Sequence, residues 1–199
     1  MDDAAIGLRV KTGRAIAVLL AGPAAAPRIL GRREVALADP TLPDTGQPYH
    51  AALELPEREG AAVVARARKT IEGLAAAAVA ALVAELRAAK LRPVGVGLAV
   101  SSDVDPATLG NLHVRAHASE GRLFREVLEQ GARAARLPSL VLLEREALGR
   151  ASAALRRPEA ELQSTLAALG KEVGRPWRAD EKASALAAWL ALGVAKRSA

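Results

Sequence analysis

Cysteine is absent from this 199-residue chain. That excludes disulfides, thiolate zinc sites and cysteine nucleophiles. Aromatic residues are almost absent as well: Tyr49, Phe124, Trp177 and Trp189 make up 2% of the sequence. A core must therefore be built from Leu, Val and Ala, and a surface that stacks successive bases of a single strand is disfavoured. No stretch is apolar enough to span a bilayer; the longest alanine-rich run, Gly73–Ala84, is well short of the roughly 20 residues required. No run of five like charges occurs. No serine stands in a nucleophile-elbow pattern. Gly95 and Gly97 lie inside one strand-like run, and no third glycine opens the next helix, so they form no dinucleotide fingerprint.

What is present describes a globular protein. Hydrophobic residues make up 51% of the chain and mean hydropathy is +0.12. The length suits one α/β domain spanning 1–199. Lys and Arg number 28 against 22 Asp and Glu, a formal charge of +6. A basic balance points to nucleic acid or an acidic ligand. The excess is dispersed, however: from Ser102 onward there are 15 basic and 12 acidic residues. The abundance of Arg and Ala also fits a GC-rich genome. Met1-Asp2-Asp3 lacks the basic start of a secretory signal, so the expected location is the bacterial cytoplasm, with no membrane partner.

Along the chain, Ile6–Leu20 reads as β structure, either two strands around a Thr12-Gly13 turn or one long bent strand. Arg28–Leu37 reads as a further strand, Asp39–Pro48 as a loop, and Tyr49–Leu55 as an edge strand. Pro56–Lys90 carries a helical repeat (Val64, Ile71, Leu74, Ala78, Leu82, Leu86), with Pro56 and acids in the first turn. Pro93–Val100 is apolar on both faces, as a central parallel strand requires, and its glycines let a helix or ligand approach closely. Ser119–Arg136 predicts a helix, Leu140–Leu143 a short buried strand, and Glu159–Leu169 and Glu181–Leu192 two more helices, with Trp177 and Trp189 anchoring the last one to the sheet. The expected order is β-β-β-α-β-α-β-α-α, with a mixed sheet.

That order resembles the ribonuclease-H-like superfamily, and within it most nearly the Holliday-junction resolvase branch. Ile6-Gly7-Leu8-Arg9 is similar to the family's first-strand segment, Val94–Ser102 to its fourth strand, and Arg178–Leu192, with Ser184-Ala185-Leu186-Ala187, to its final helix. The resemblance implies a three-layer α/β fold and metal-ligating carboxylates at the strand ends. This chain departs from that pattern. Arg9 stands where active members carry an aspartate ligand, Ser101-Ser102 where a glutamate is usual, and Ser184 where a second aspartate would follow Asp180 and Glu181. Two-metal hydrolysis needs carboxylates converging on ions about 4 Å apart, and an arginine among them repels the metals. The resemblance therefore implies the architecture without the hydrolysis.

The candidate site is Asn111–Arg122, directly after the central strand, because ligand sites in open α/β sheets gather beyond strand carboxyl ends. His113, Arg115, His117, Glu120 and Arg122 are its candidate ligand-binding residues. If the segment is helical, His113, His117 and Glu120 share a face and suit a divalent ion. If it is extended, His113, Arg115 and His117 share one and suit a phosphate or carboxylate. A third reading makes it a polar loop entering a helix, capped by Asn111 or Ser119. Asp103 and Asp105 are the candidate metal carboxylates, although Asp105 also fits the start of a short capped turn. Lys11-Thr12-Gly13-Arg14 suggests phosphate contact but reads better as a hairpin turn with solvated basic residues, and Glu144-Arg145-Glu146 either faces the same cleft as Asp103 or is an ordinary charged helix start.

The leading expectation is a catalytically degenerate ribonuclease-H-like protein binding nucleic acid or an anionic ligand through the His/Arg cluster. Two alternatives stand beside it. One is a divalent-metal-dependent hydrolase or nuclease whose relocated site comprises Asp103, Asp105, His113, His117 and Glu120. The other is a homo-oligomeric scaffold that associates through apolar faces such as Gly73–Ala84.

Overall fold

The computed structural model describes residues 1–195. The first three strands are β1 (Asp3–Lys11), β2 (Arg14–Ala21) and β3 (Arg28–Ala36). Thr12 and Gly13 alone separate β1 from β2, and Gly13 takes φ +75° there, so the segment is a hairpin and not a bent strand. After α1 (Pro48–Ala51) and the long α2 (Glu57–Ala88) come β4 (Arg92–Val100), α3 (Leu112–Ala134) and β5 (Ser139–Leu143). Helices α4 (Ala147–Leu155), α5 (Glu159–Val173) and α6 (Ala179–Ala195) complete the described chain. The sheet order is β3-β2-β1-β4-β5, antiparallel through the first three strands and parallel from β1 to β5. This is the mixed sheet expected from the sequence, a meander followed by alternating helices and strands. Among the described residues, no helix is long and apolar enough to cross a membrane.

Three local expectations need correction. Tyr49–Leu55 is no strand: Pro48 starts the single turn of α1, where its missing N–H does no harm. The expected strand order was nonetheless met, because the Thr12-Gly13 turn supplies the missing strand. Helix α3 begins at Leu112, not Ser119, because the Asn111 side chain accepts from Val114 N–H at 3.1 Å and caps it seven residues earlier. A further helix, α4, follows Glu144–Glu146 where only a charged helix start stood out.

The core has two halves, one on each side of the sheet. Ile6, Leu8 and Val10 of β1 face α2 and α3, packing with Ile71, Val79, Leu123 and Phe124. The other half gathers Val18, Leu20 and Ala99 against α6, with α4 and α5 outside it. Every residue from Ser184 to Leu192 is buried, since α6 is sandwiched between sheet and outer helices. Trp189 is fully buried and its Nε1 donates to Ala24 O at 2.8 Å. Trp177 packs against the same half of the core from the α5 side, lying over Gly170.

What lets α6 lie so close is a glycine pair. Gly7 of β1 and Gly97 of β4 are directly opposite each other in the parallel register. A Cβ on Gly7 would lie 1.8 Å from Ser184 O, and one on Gly97 2.1 Å from Ala187 O. Ser184 completes the seat, with its hydroxyl 2.8 Å from both Gly7 O and Ile16 O. Its single proton is shared between two strand carbonyls, so it is a packing residue and not a ligand. We expect Gly97→Ala to push α6 off the sheet and lower stability by about 3 kcal/mol, near the upper end of the usual overpacking range. Urea denaturation checks this; a loss below about 0.5 kcal/mol would show that the helix does not depend on the glycine seat.

Candidate functional site

The site is built from the ends of β1 and β4. Residues alternate across a strand, so Gly7, Arg9 and Lys11 share the face of β1 that looks toward α6. Gly7 brings α6 down one turn away from Asp180, and Arg9 and Lys11 then lie beneath the start of that helix. Arg9 is 7% exposed. Its Nη2 donates to Glu144 Oε2 at 2.6 Å and its Nη1 to Val10 O at 2.6 Å, while its Nε lies 3.7 Å from Asp180 Oδ1. Lys11 Nζ donates to the other Asp180 oxygen at 2.6 Å. Two cations thus meet two carboxylates at the strand ends. Glu144 is carried there by the turn following β5, and Glu181 is diverted to accept from Arg178 N–H at 2.7 Å.

A cleft of about 340 Å³ opens beside this cluster, past the carboxyl end of β4 as expected. Its lining includes Ser101, Ser102 and Asp103 from the loop, Val114, His117, Arg122 and Arg125 from α3, and Arg9 and Lys11 from β1. Four of these side chains are permanently or ordinarily cationic, against the single carboxylate of Asp103. Arg125 pairs with Asp103. Arg122 donates to Glu126 at 2.9 Å and reaches Asp105 at 3.4 Å. The hydrogen bond from Arg122 to Glu126, followed by that carboxylate's charge, raises the Arg122 pKa, so this guanidinium stays charged.

The structure separates the five candidate ligand-binding residues. They lie on a helix, so the extended arrangement that would align His113, Arg115 and His117 does not occur. His117 and Arg122 line the cleft. Arg115 is turned back onto its own loop, donating twice to Leu109 O at 2.9 and 2.6 Å. His113 is exposed and outside the cleft lining. Glu120 is fully buried and points to His50, whose Nδ1 and backbone N lie 2.9 and 3.2 Å from Glu120 Oε1.

The relocated metal site of Asp103, Asp105, His113, His117 and Glu120 is not assembled. Asp103 and Asp105 are committed to Arg125 and Arg122, Asp105 also accepts from Ala107 N–H at 3.1 Å, and Glu120 faces away. Among the described residues, no three His, Asp or Glu side chains converge closely enough to hold an ion. The paired metals of an active ribonuclease-H-like nuclease do not fit either. Arg9 lies between Glu144 and Asp180, where a cation is already supplied by the chain.

Lys11, Arg125 and His50 were not among the candidate residues. Lys11 belongs to a basic turn that looked solvated, and Arg125 is one of many helix arginines. Only the i and i+2 spacing of Arg9 and Lys11 on a strand placed them on one face. We expect Arg9→Met to destabilise the protein by about 2 kcal/mol, less than the full cost of breaking a buried pair because both carboxylates are about one-third exposed. A double-mutant cycle with Glu144→Gln, read by urea denaturation, should return a coupling of about 1 kcal/mol or more; additive effects would show that the pair contributes nothing.

No family model matches the chain, and no curated protein matches it by sequence. Solved structures do match it. The Thermus thermophilus RuvC structure superposes with TM-score 0.57 at 16% identity, covering 98% of this chain and 96% of that one. T. thermophilus RuvC in complex with a Holliday junction substrate gives TM-score 0.53 at 16% identity, covering 95% of this chain and 91% of that one. Identity this low establishes shared architecture and not shared chemistry. The chain has the ribonuclease-H-like fold of the RuvC resolvases, over nearly its whole length.

Proposed function

We propose that this protein is a catalytically degenerate ribonuclease-H-like protein that binds nucleic acid, without hydrolysing it, through the cleft past β1 and β4. One observation carries the reading: Arg9 is buried between Glu144 and Asp180, with Lys11 on the second oxygen of Asp180. Those carboxylates are neutralised from within, so no step through bound metals is derived for them. What remains at the rim are Lys11, Arg122 and Arg125, each held by a carboxylate that a phosphate would have to displace. A RuvC structure of the same fold is known in complex with a Holliday junction, which makes branched DNA the first ligand to try. Lys11, His117, Arg122 and Arg125 are the proposed contacts. His113 flanks them on the exposed side of the same helix, while Arg115 and Glu120 serve local structure.

The cations act here as point charges and forks on phosphate oxygens, not as readers of base edges. Binding should therefore be strongly salt-dependent and weakly sequence-dependent. The surrounding surface lacks the aromatic platforms that stacked single strands use. The measurement is fluorescence anisotropy with a four-way junction, a duplex of the same composition and a polyphosphate chain, over a series of salt concentrations. We expect junction or duplex affinity to fall steeply with salt, and Arg122→Ala/Arg125→Ala to reduce the slope of log Kobs against log salt by about 2. Magnesium or manganese should produce no cleavage of any DNA tested. Absence of DNA binding at low salt overturns the proposal, and polyphosphate binding without DNA binding assigns the cleft to a smaller anion.

A further inference from the structure

All three histidines of the chain meet at one place. His50 comes from α1, and His113 and His117 from successive turns at the start of α3. The His50 ring centre is 5.9 Å from that of His113 and 6.4 Å from that of His117. Beneath them lies Glu120, fully buried, with Oε1 accepting from His50 and Oε2 without a hydrogen-bond partner. Nothing in the proposed DNA contacts accounts for this arrangement.

We propose that His50, His113 and His117 form a binding site for a first-row transition cation such as zinc, with Glu120 as the orienting carboxylate. A carboxylate only accepts, so His50 Nδ1 must carry the proton, and in the neutral ring Nε2 holds the free lone pair. Fixing one imidazole nitrogen on a carboxylate so that the other can ligate is a recurrent feature of protein metal sites. His113 and His117 have the i, i+4 spacing that places two imidazoles side by side on a helix. Two imidazoles bound tetrahedrally at Zn–N distances near 2.0 Å have ring centres roughly 5 Å apart. The observed separations are about 1 Å wider, which is why the three side chains do not converge as they stand. Both helix histidines are exposed and free to close that gap by rotation about χ1 and χ2. Neutral nitrogen donors favour zinc, nickel or copper over magnesium and calcium, which prefer oxygen. The ion would tie α1 to the start of α3, two elements otherwise joined by packing and the His50–Glu120 contact.

The two readings share His117, so the metal test turns on His113→Ala and the DNA test on Arg122→Ala/Arg125→Ala, and each can fail without the other. Tag-free protein is titrated with zinc and, separately, magnesium, following Tm and calorimetric stoichiometry, with cobalt absorbance as a reporter of nitrogen coordination. We expect one zinc per chain, a Tm rise of about 5 °C at saturation and no response to magnesium. His113→Ala, at an exposed position that leaves the core intact, should abolish the rise, and Glu120→Gln should weaken zinc affinity by tenfold or more. No zinc response in the wild-type protein, or an undiminished response in His113→Ala and His117→Ala, overturns the site.

Discussion

Helix α6 rests directly on the backbone of two strands, and the rest of the molecule is arranged around that contact. Gly7 and Gly97 lie side by side in register, and neither has room for a Cβ beneath Ser184 and Ala187. Dense packing transmits position faithfully. One turn before Ser184 the helix presents Asp180, and two residues after Gly7 the strand presents Arg9. The seat that closes one half of the core therefore also fixes the distance between an acid and a base at the mouth of the cleft.

That coupling sets the charge balance of the centre at the strand ends. In such a centre, converging carboxylates need positive charge to relieve their repulsion. Here the chain provides it covalently, through the Arg9 guanidinium and the Lys11 ammonium. The two ways of supplying that charge differ in consequence. A metal ion has open coordination positions that polarise substrate or water. A guanidinium has only donors, and those of Arg9 are directed largely at Glu144 and the backbone.

The cleft and the histidine cluster share helix α3 but divide its faces. His117 and Arg122 look toward the cleft, Glu120 looks under α1, and Leu123 and Phe124 enter the core. A helix turning 100° per residue presents all three environments within eight residues. Read as a linear string, His113-Val114-Arg115-Ala116-His117 looks like one polar cluster; wound into a helix, it is several. Arg115, the most prominent cation of that string, ends on Leu109 O for this reason.

Much of the architecture was legible from local chemistry. Double-sided apolarity marked β4 as central, the Thr12-Gly13 turn allowed a hairpin, and Pro56 with the 3.6-residue repeat marked α2. The placement of a cleft beyond Val100 followed from topology alone. What could not be read were the partners. Glu144 meets Arg9 across 135 residues and Glu120 meets His50 across 70, and no short-range pattern encodes such pairs. Sequence by itself determined most of the strands and helices and the faces of β1 and α2, because those depend on backbone preference and period. Only tertiary packing decided that two acids would be neutralised by strand cations and that three scattered histidines would gather, because both depend on how closely distant elements approach.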